Sequence, residues 1–505
     1  MSRFNSTAID QSKTTNHEGA EAFTLSSEME LYKTVCTSVL QNKFYESSNQ
    51  TLNRIRSLIN QCDPEYVARL AVYARKEMNL RTIPLVLTVE LAKIHNGDDL
   101  ISRMTENVIL RADEITELLS FYQIANKRNG TKKLNKLSKQ ISKGISKSFD
   151  KFEEYHFAKY NRPTEIKFRD ALFLCHVSPK TTDQKDLFEK IITDTLETPY
   201  TWETQLSESG KNGKTKKEVW EELIGSRKVG YMAILRNLRN ILEAGVSREH
   251  IRNVCDYISN ENAVLNSKQL PFRFLSAYKI IRGTTRAFYY DPPTKKLDSI
   301  YVPEILEALE KAIIISIKNL PINEDDNVLI ASDVSASMCK SVSDRSSVML
   351  YDIGTLMAMM IKHKTKYSLT GLFGDIFKTY NFPKDNILAG TYELLKIEGE
   401  VGYSTNGYKV IKYANENQQK IDKIMIFTDM ELYGGSIRKE WLTFKSNNPN
   451  AKLYLFDLNG YNTTPFSEKE DGVFLISGWN EKVFEMMNNL EKGRGVVDVI
   501  NSIEI

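Results

Sequence analysis

Apolar side chains recur at helical spacing from about residue 28 to residue 320. Tyr66, Leu70 and Tyr73 fall on one face of a predicted helix, and Arg69 and Arg75 fall on other faces. The same spacing predicts further helices over residues 83–94, 134–149, 220–242, 248–259 and 302–319. Short polar connections separate these helices, so this part of the chain is predicted to be all-α.

The lengths of these helices leave two arrangements open. Helix pairs of the HEAT kind occupy ~40–47 residues each, so residues 23–320 have room for roughly seven of them. Because no sequence repeat of fixed period is visible, an irregular helical bundle accounts for the same pattern. Periodicity alone does not choose between the two.

At Pro321 the pattern changes to strands that alternate with helices. Short apolar runs predict strands over residues 327–332, 367–373, 423–428, 452–457 and 473–477. Helical spacing occurs between most of them, over residues 346–363, 407–418, 438–445 and 481–490. This alternation predicts an α/β, Rossmann-like domain with a parallel sheet that is covered on both faces.

The chain is therefore predicted to have three parts: a tail (1–22), a helical region (23–320) and an α/β domain (321–505). The tail is rich in Ser, Thr, Asn and Glu and lacks an apolar stretch of signal-peptide type, which predicts flexibility. Apolar runs such as residues 312–317 are too short to cross a bilayer, so no membrane partner is expected.

The cysteines indicate the compartment. There are five, at positions 36, 62, 175, 255 and 339, and none forms a Cys-x-x-Cys pair. An odd number of widely spaced cysteines favours reduced thiols in a cytoplasmic protein and disfavours a zinc site.

Three polar segments at strand ends predict a metal site. Asp333, Ser335 and Ser337 follow the first strand of the α/β domain, Thr405 lies in a loop before a helix, and Asp429 ends a buried strand. The carboxyl ends of parallel strands share one edge of a sheet, and hard cations such as Mg²⁺ prefer oxygen ligands. Taken alone, the Ser-rich turn at residues 333–337 is equally well explained as a helix cap. The three segments together predict a divalent cation site that would seek a further anionic ligand.

A basic helix is the first candidate for a polyanion site. The formal net charge is only +3, so such a site must come from local clustering. Residues 127–151 contain nine basic side chains and one acid. Steps of three and four place five lysines on one helix face: Lys132, Lys136, Lys139, Lys143 and Lys147. A solvated helix face is the alternative, although a polyanion would relieve the repulsion between these charges.

Two further basic groups extend this candidate surface. The second group comprises Lys159, Arg169, His176 and Lys180. The third comprises Arg236 and Arg239, three positions apart on an otherwise apolar helix. His176 has an alternative role in packing, and the two arginines could instead pair with Glu221, Glu222 or Glu243.

Several segments resemble a known family. Residues 68–75 (ARLAVYAR), 220–224 (WEELI), 231–240 (YMAILRNLRN) and 270–275 (LPFRFL) resemble the TROVE module shared by telomerase, Ro and vault proteins. Residues 333–338 (DVSASM) and 427–430 (FTDM) resemble the von Willebrand factor A-type domain that follows this module in the Ro ribonucleoprotein autoantigen family. The resemblance covers essentially the whole chain after the tail.

The resemblance implies an architecture and a function. It implies a monomeric, HEAT-like helical-repeat ring with a basic central hole, whose ends are bridged by the von Willebrand A domain. Y RNAs, which are small structured non-coding RNAs, would bind the outer surface, and misfolded RNAs would thread a single-stranded 3′ end through the hole. RNA quality control or degradation would follow, with an exoribonuclease tethered through a Y RNA.

The resemblance also implies roles for individual residues. Lys159 and His176, with Arg169 nearby, match residues that contact Y RNA, whereas the lysine helix is outside this match. The metal-ion-dependent adhesion site of von Willebrand A domains implies that Ser335, Ser337 and Thr405 are direct ligands. Asp333 and Asp429 would act largely through waters.

Enzymatic alternatives are disfavoured by the residues present. The six histidines are scattered, and Asp333 and Asp429 belong to a single-ion site rather than a two-metal nuclease centre. An aspartyl-phosphate enzyme would usually have a second carboxylate where Ser335 stands. A binding protein without catalysis is therefore expected, and a metal-dependent protein-adhesion module is the remaining alternative.

Overall fold

The computed structural model describes residues 13–38, 46–126, 137–210, 213–283, 297, 299–342, 346–433 and 436–505. The chain divides into two compact units. The first comprises Met1–Thr51 and Ser259–Val496, and the second comprises Leu52–Ile258 and Val497–Ile505. The boundary predicted between residues 320 and 321 thus falls inside the first unit, because the last helices of the helical region pack with the α/β domain.

The described part of the chain begins with a hairpin and continues as helices. Strand β1 (Lys13–Thr15) pairs antiparallel with β2 (Glu21–Phe23). The helices that follow are α1 (Ser27–Thr37), α2 (Ser48–Ile59), α3 (Pro64–Lys76), α4 (Thr82–Leu91), α5 (Leu100–Val108), α6 (Asp113–Ala125), α7 (Lys139–Phe149), α8 (Glu154–Tyr160), α9 (Phe168–Leu174), α10 (Thr182–Thr193), α11 (Trp202–Ser209), α12 (Lys216–Gly225), α13 (Tyr231–Glu243), α14 (Arg248–Ile258), α15 (Glu261–Ser267), α16 (Pro271–Arg282) and α17 (Val302–Ser316). Within the described residues, none of the helices combines the length and the apolar character that spanning a bilayer requires.

The later part of the chain alternates strands and helices, as the sequence predicts. Its elements are β3 (Asn327–Asp333), α18 (Leu350–Lys364), β4 (Tyr367–Phe373), β5 (Phe377–Tyr380), α19 (Ile387–Lys396), α20 (Tyr408–Glu416), β6 (Lys423–Thr428), α21 (Ile437–Asn447), β7 (Lys452–Asp457), β8 (Val473–Ser477), α22 (Lys482–Glu491) and α23 (Val496–Asn501). The strand order is β5-β4-β3-β6-β7-β8, parallel except for β5. The edge strand β5 and the helix α19 are additions to the predicted elements.

Local sequence explains how the helices of the second unit begin and pack. The side chain of Asp63 caps α3 by accepting hydrogen bonds from two backbone N–H groups, and Pro64 occupies the first turn, where its missing N–H costs nothing. The apolar face of α3 includes Leu70, which is fully buried. At the end of the chain, the carbonyl of Ile503 accepts a hydrogen bond from Arg69 of α3 (3.0 Å), which attaches the last residues to this unit.

The structure differs from the predicted flexible tail (1–22) at residues 13–22, whereas residues 1–12 lie outside the described residues. From Lys13 onward these residues form the β1–β2 hairpin, which packs in the first unit. Phe23 exchanges backbone hydrogen bonds with Thr464 (2.8 and 3.1 Å). The polar composition suggested a solvated segment. The sequence of residues 13–23 alone does not show that their hydrogen-bond partner, Thr464, lies more than 400 positions further along the chain.

A buried ion pair fixes α1 to the sheet. Lys33 on α1 lies 3.1 Å from Asp457, the last residue of β7, and both side chains are almost wholly buried. Lys33 also donates to the carbonyl oxygen of Thr463 (2.7 Å), and Asp457 accepts hydrogen bonds from the N–H groups of Asn459 and Gly460. Asp457 therefore stabilises the packing of α1 against the end of β7.

A second buried ion pair joins α16 to α18. Lys279 on α16 donates to Asp352 on α18 (2.7 Å), and both groups are buried. Glu398 lies in the same environment, where burial and the charge of Asp352 raise the pKa of its carboxyl to about 7. The folded protein therefore retains a proton on Glu398 that the unfolded chain releases near its ordinary pKa of 4.5.

The first prediction concerns the pH dependence of stability at Glu398. A raised pKa stabilises the fold at low pH, and that contribution is lost as the pH rises from about 4.5 through about 7. Glu398→Gln should therefore equal the wild type near pH 4.5 and exceed it at pH 8. The expected gain is roughly 1 kcal/mol, because partial exposure reduces the full effect. Calorimetric unfolding at both pH values measures the difference.

The matched control is Glu307→Gln, because Glu307 is exposed and pairs with Lys311 on the surface of α17. It should show no gain at pH 8. Identical pH profiles for Glu398→Gln and the wild type would contradict the prediction.

Candidate functional site

The predicted metal residues lie at the centre of the sheet, at the carboxyl ends of its strands. Strand β4 lies on one side of β3 and β6 on the other, so the chain reverses its course across the sheet between β3 and β6. Ligands of open α/β sheets bind at such a reversal. Asp333 ends β3 and Asp429 directly follows β6, which places both carboxylates at this point.

Hydrogen bonds tie the three predicted loops to one another. The hydroxyl of Thr428 donates to Asp333 Oδ2 (2.7 Å), which joins the ends of β3 and β6. The N–H of Ala336 donates to the carbonyl of Tyr403 (3.3 Å), and the N–H of Tyr433 donates to the carbonyl of Thr405 (2.9 Å). The structure therefore brings the segments around residues 333–337, 402–406 and 429–433 together, as the sequence predicts.

Glycine permits the close approach of the loop that carries Thr405. A Cβ atom on Gly374 would lie 2.1 Å from the carbonyl oxygen of Gly402, so the backbones after β4 and before α20 touch without side chains between them. Gly402 has a φ of 74°, a backbone conformation that residues other than glycine rarely adopt. This contact holds the loop against the sheet.

Several oxygens at this point are buried and polar. Asp333 Oδ1 accepts from the N–H of Ser335 (2.9 Å), and the hydroxyls of Ser335 and Ser337 lie 3.3 Å apart. Thr405 Oγ1 and Asp429 Oδ2 are buried and have no hydrogen-bond partner among the described residues. Unpaired buried polar atoms are uncommon and indicate a missing ligand, ion or water.

The two carboxylates repel each other in this buried position. Burial raises the pKa of Asp333 to about 6, although hydrogen bonds from Thr428 and Ser335 oppose the shift. Burial also raises the pKa of Asp429, and the negative charge of Asp333 adds to that rise. A cation between the two groups would remove this cost, so the residues present fit a single hard cation.

The donor set consists of hydroxyls and two carboxylates. Within the described residues, no group of three or more His, Cys, Asp or Glu side chains is placed to hold a metal ion. The fit to a cation therefore rests on Ser335, Ser337 and Thr405 together with the two aspartates.

The lysine helix lies in the second unit, where α7 packs closely on α5. A Cβ atom on Gly144 would lie 2.4 Å from Thr105 Cβ, so only glycine allows this contact. Ile145 is fully buried on the same side, whereas Lys139 and Lys143 are exposed. The apolar face of α7 thus turns its lysines outward, as the sequence predicts.

The remaining lysines of this group differ in their surroundings. Lys147 pairs with Glu106 (3.0 Å), so part of its charge is already neutralised. Lys151 donates to the carbonyl of Ile109 (3.0 Å) beyond the end of α5. Lys132 and Lys136 lie outside the described residues.

His176 lies beside the lysine helix. The hydroxyl of Ser142, between Lys139 and Lys143 on α7, donates to the carbonyl of Cys175 (3.3 Å). His176 follows Cys175 with a φ of 50° and is exposed. The alternative of a packing histidine is therefore wrong.

Aromatic rings accompany the second basic group. Lys159 on α8 lies 5.6 Å from the ring centroid of Tyr155 and 5.7 Å from that of Tyr160. Tyr155 is 45% exposed, and Phe173 on α9 is 61% exposed. Exposed rings beside cations suit nucleic-acid bases, which stack on such faces.

Arg169 and Lys180 are also exposed but have acidic neighbours. Arg169 lies 3.9 Å from Asp170. Lys180 pairs with Asp150 and lines an open cleft of about 600 Å³ between α8 and α10. Five carboxylates line the cleft against two lysines: Asp150, Glu153, Glu154, Asp183 and Asp186 against Lys180 and Lys190. An RNA phosphate would be repelled at this cleft, which disfavours Lys180 as a contact.

The third basic group divides between the two explanations offered for it. Arg236 is exposed on α13. Arg239 donates to Glu243 (2.8 Å), which is one of the pairings that the sequence allowed. The predicted arginine pair is thus one exposed cation and one partly neutralised cation.

Phe173 and Tyr155 were missed from the sequence. The buried positions of α9 and its end are Phe168, Ala171, Leu172 and Cys175, at the spacing of one helix face. Phe173 falls off that face, so helical periodicity could have identified it as an exposed ring. For Tyr155 on α8, no comparable signal exists, because Phe157 is the one residue of this helix that is buried, and a single position does not define a buried face.

Comparison with known proteins identifies the family. A family model of the TROVE domain matches residues 12–198 and 194–289, and a model of the Ro60 vWA domain matches residues 327–491. The TROVE matches alone extend over more than half of the 505 residues. The chain belongs to the Ro family of TROVE-domain proteins. The helical-repeat region and the von Willebrand A domain predicted from the sequence are confirmed by these matches.

Relatives of this Ro-family chain are distant in sequence. Telomerase protein component 1 of Rattus norvegicus is 24% identical over 326 residues, which are 49% of this chain and 12% of that protein. RNA-binding protein RO60 of Caenorhabditis elegans is 22% identical over 286 residues, 55% of this chain and 42% of that protein. The alignments therefore span less than half the length of these relatives.

A solved structure shows the same fold. The crystal structure of the Deinococcus radiodurans RO (RSR) protein superposes with a TM-score of 0.62 at 16% identity. The match covers 93% of this chain and 100% of that one. The shared fold thus extends over both the helical-repeat region and the von Willebrand A domain.

The second prediction tests the packing that presents the lysine helix. Gly144→Ala places a methyl group against Thr105 and the carbonyl of Ser102, 2.4 and 2.7 Å away. The second unit should lose about 1–3 kcal/mol of stability, because overpacking forces the two helices apart. Calorimetric unfolding measures the loss.

Gly225→Ala is the matched control, because a Cβ atom there meets nothing within 4 Å. This substitution at the end of α12 should leave stability unchanged or raise it by up to ~1 kcal/mol. If both variants are equally stable, the close packing of α7 on α5 is not what requires glycine at position 144.

Proposed function

We propose that this protein is an RNA-binding scaffold whose RNA site is the surface formed by α7, α8 and α9. Membership of the TROVE family supports the proposal, since one relative carries the name RNA-binding protein RO60. The single observation that carries it is the hydrogen bond from Ser142 to Cys175, which places His176 beside the exposed lysines of α7.

The binding chemistry combines charge with stacking. Lys139 and Lys143 would contact phosphates and release counterions. Phe173 and Tyr155 offer exposed rings for unpaired bases, and such bases occur in the loops, bulges and ends of structured RNA. A rigid duplex lacks accessible bases, so this surface would select RNA by shape.

The finer assignment follows the family resemblance. The bound RNA would be a small non-coding RNA of the Y type, held through Lys159 and His176. Misfolded RNAs would bind by a single-stranded 3′ end at a second place, the central hole that the resemblance implies. The protein would act in RNA quality control in the cytoplasm, without cleaving RNA itself, and an exoribonuclease would be its protein partner.

The third prediction addresses RNA affinity. The double variant Lys159→Ala/His176→Ala should bind a structured non-coding RNA about tenfold more weakly, because charge-assisted contacts are lost. The affinity for a simple single-stranded tail should be unchanged. Filter binding over a range of salt concentrations measures both, and the salt dependence for structured RNA should become shallower.

Lys420→Ala is the control, since Lys420 is an exposed lysine of the other unit. Its affinity for both RNAs should match the wild type. Equal losses for both RNAs in the double variant would remove the idea of two sites. RNA recovered from the titrations in Mg²⁺ should be full length on a denaturing gel, whereas shortened products would favour a ribonuclease.

We further propose that the von Willebrand A domain binds one divalent cation, Mg²⁺ by preference. Ser335, Ser337 and Thr405 would be direct ligands, with Asp333 and Asp429 balancing the charge. The unpaired, buried Thr405 Oγ1 and Asp429 Oδ2 support this assignment. When bound, the cation would neutralise the buried carboxylates and offer a position to an anionic group from a partner.

The fourth prediction uses the unpaired hydroxyl of Thr405. Thr405→Val removes a buried oxygen without removing a hydrogen bond, so the metal-free variant should be as stable as the wild type or up to ~1 kcal/mol more stable. Saturating Mg²⁺ should raise the melting temperature of the wild type, because ligand binding stabilises the folded state. That rise should be mostly lost in the variant, as followed by thermal unfolding with and without Mg²⁺.

Thr355→Val is a matched control. Thr355 on α18 also has a buried hydroxyl that meets no partner in the part of the chain that the structure describes, but it is not a predicted ligand. Without metal, the stability of Thr355→Val should resemble that of Thr405→Val. With Mg²⁺, its melting temperature should rise as much as that of the wild type. An equal Mg²⁺ response in all three proteins would contradict the site.

Docking of a protein through the metal site is the second candidate function. Tyr403 and Tyr433 belong to two of the three loops at the site and are 47% and 51% exposed. Exposed rings beside a cation-binding site suit a partner that supplies an acidic side chain. Under this alternative, Thr405→Val would weaken binding of the protein partner while leaving the affinity for RNA unchanged.

A further inference from the structure

The N-terminal hairpin, β1–β2 with its turn, contacts the loop that carries Asp429. The side chain of Asn16 donates to the carbonyl of Leu432 (2.7 Å), and the N–H of His17 donates to Glu431 Oε2 (2.7 Å). The hairpin therefore reaches the residues that directly follow Asp429.

Glu431 connects the hairpin to the aspartate. Its side chain is fully buried, and its Oε1 accepts a hydrogen bond from the hydroxyl of Thr463 (2.9 Å). Its own backbone N–H donates to Asp429 Oδ1 (3.2 Å). The carboxylate of Glu431 is thus held by His17 and Thr463, while its backbone orients the carboxylate of Asp429.

The backbone between the two acids is strained. Met430 has a φ of 70°, in the left-handed region that residues other than glycine seldom adopt, and it is buried. Such a conformation persists only where surrounding contacts hold it. The contacts on the following residue come from His17 and Thr463, so the hairpin helps to keep Asp429 in place.

We infer that the N-terminal hairpin is a working part of the cation site, with Glu431 as the positioning residue that transmits its contact to Asp429. This inference rests on the proposed cation site. Residues that orient a metal-site carboxylate commonly change metal affinity by 10–100-fold when they are lost. Loss of the His17 contact should therefore weaken cation binding while the hairpin itself remains folded.

The experiment removes one N–H group. His17→Pro lacks the backbone donor to Glu431 but suits the position, since residue 17 is the second residue of a turn closed by the Gly19 N–H and the Asn16 carbonyl (3.0 Å). His17→Ala retains the N–H and loses only the side chain, including its contact with the ring of Tyr461. Mn²⁺ affinity of the full chain is measured by isothermal titration calorimetry, with Mn²⁺ replacing Mg²⁺ as the probe.

We expect about tenfold weaker Mn²⁺ binding for His17→Pro and an unchanged dissociation constant for His17→Ala. Thr463→Val removes a second donor to Glu431 and should weaken binding similarly, which keeps the test available if the proline variant does not fold. Melting temperatures recorded alongside separate a loss of stability from a loss of affinity.

The outcomes are distinguishable. If the wild type does not bind Mn²⁺, the cation site is wrong and the role of the hairpin falls with it. If the wild type binds Mn²⁺ and both His17→Pro and Thr463→Val bind equally well, the cation site stands and the role of the hairpin is overturned, even if the variants melt at lower temperature.

Discussion

The von Willebrand A domain has to keep two carboxylates close together and buried where the chain reverses its course across the sheet. Asp333 and Asp429 lie there because β3 and β6 are neighbours, and the hydroxyl of Thr428 bridges the strand ends. Ionised carboxylates without a cation are unfavourable in such surroundings. Three features hold the two carboxylates in place despite that cost. They are the neighbouring hydroxyls, the close contact between Gly374 and Gly402, and the strained backbone of Met430.

In the second unit, a different constraint governs the candidate RNA surface. The close approach of α7 to α5 through Gly144 fixes the rotation of α7, and this rotation decides which lysines face solvent. The same helix contacts the end of α9 through Ser142, so packing and charge are presented together. A basic stretch that is uniform in sequence becomes a surface on which Lys139 and Lys143 are exposed and Lys147 is partly neutralised by Glu106.

The sequence predicted the helices and strands better than it predicted which side chains pair with one another in the folded protein. The five predicted strands are all present, because buried parallel strands are continuous apolar runs. β5 was missed, since a four-residue, half-exposed edge strand has no such run. The segments of the candidate cation site could be predicted to meet because strand ends share one edge of a sheet, whereas the unpaired state of Thr405 among the described residues depends on three-dimensional packing. Ion pairs such as Lys180 with Asp150 were equally invisible, because charge clusters in sequence do not show which acids fold against them.

The pairing of Phe23 with Thr464 has a consequence for how the chain is made. The hairpin leaves the ribosome well before the residues that complete its hydrogen bonds, which are more than 400 positions further along the chain. At ~5–20 residues per second, synthesis takes roughly 20–80 seconds to supply them. Throughout that interval the first compact unit lacks its last strands. The hairpin therefore cannot form these hydrogen bonds, and it stays accessible to chaperones until the sheet is complete.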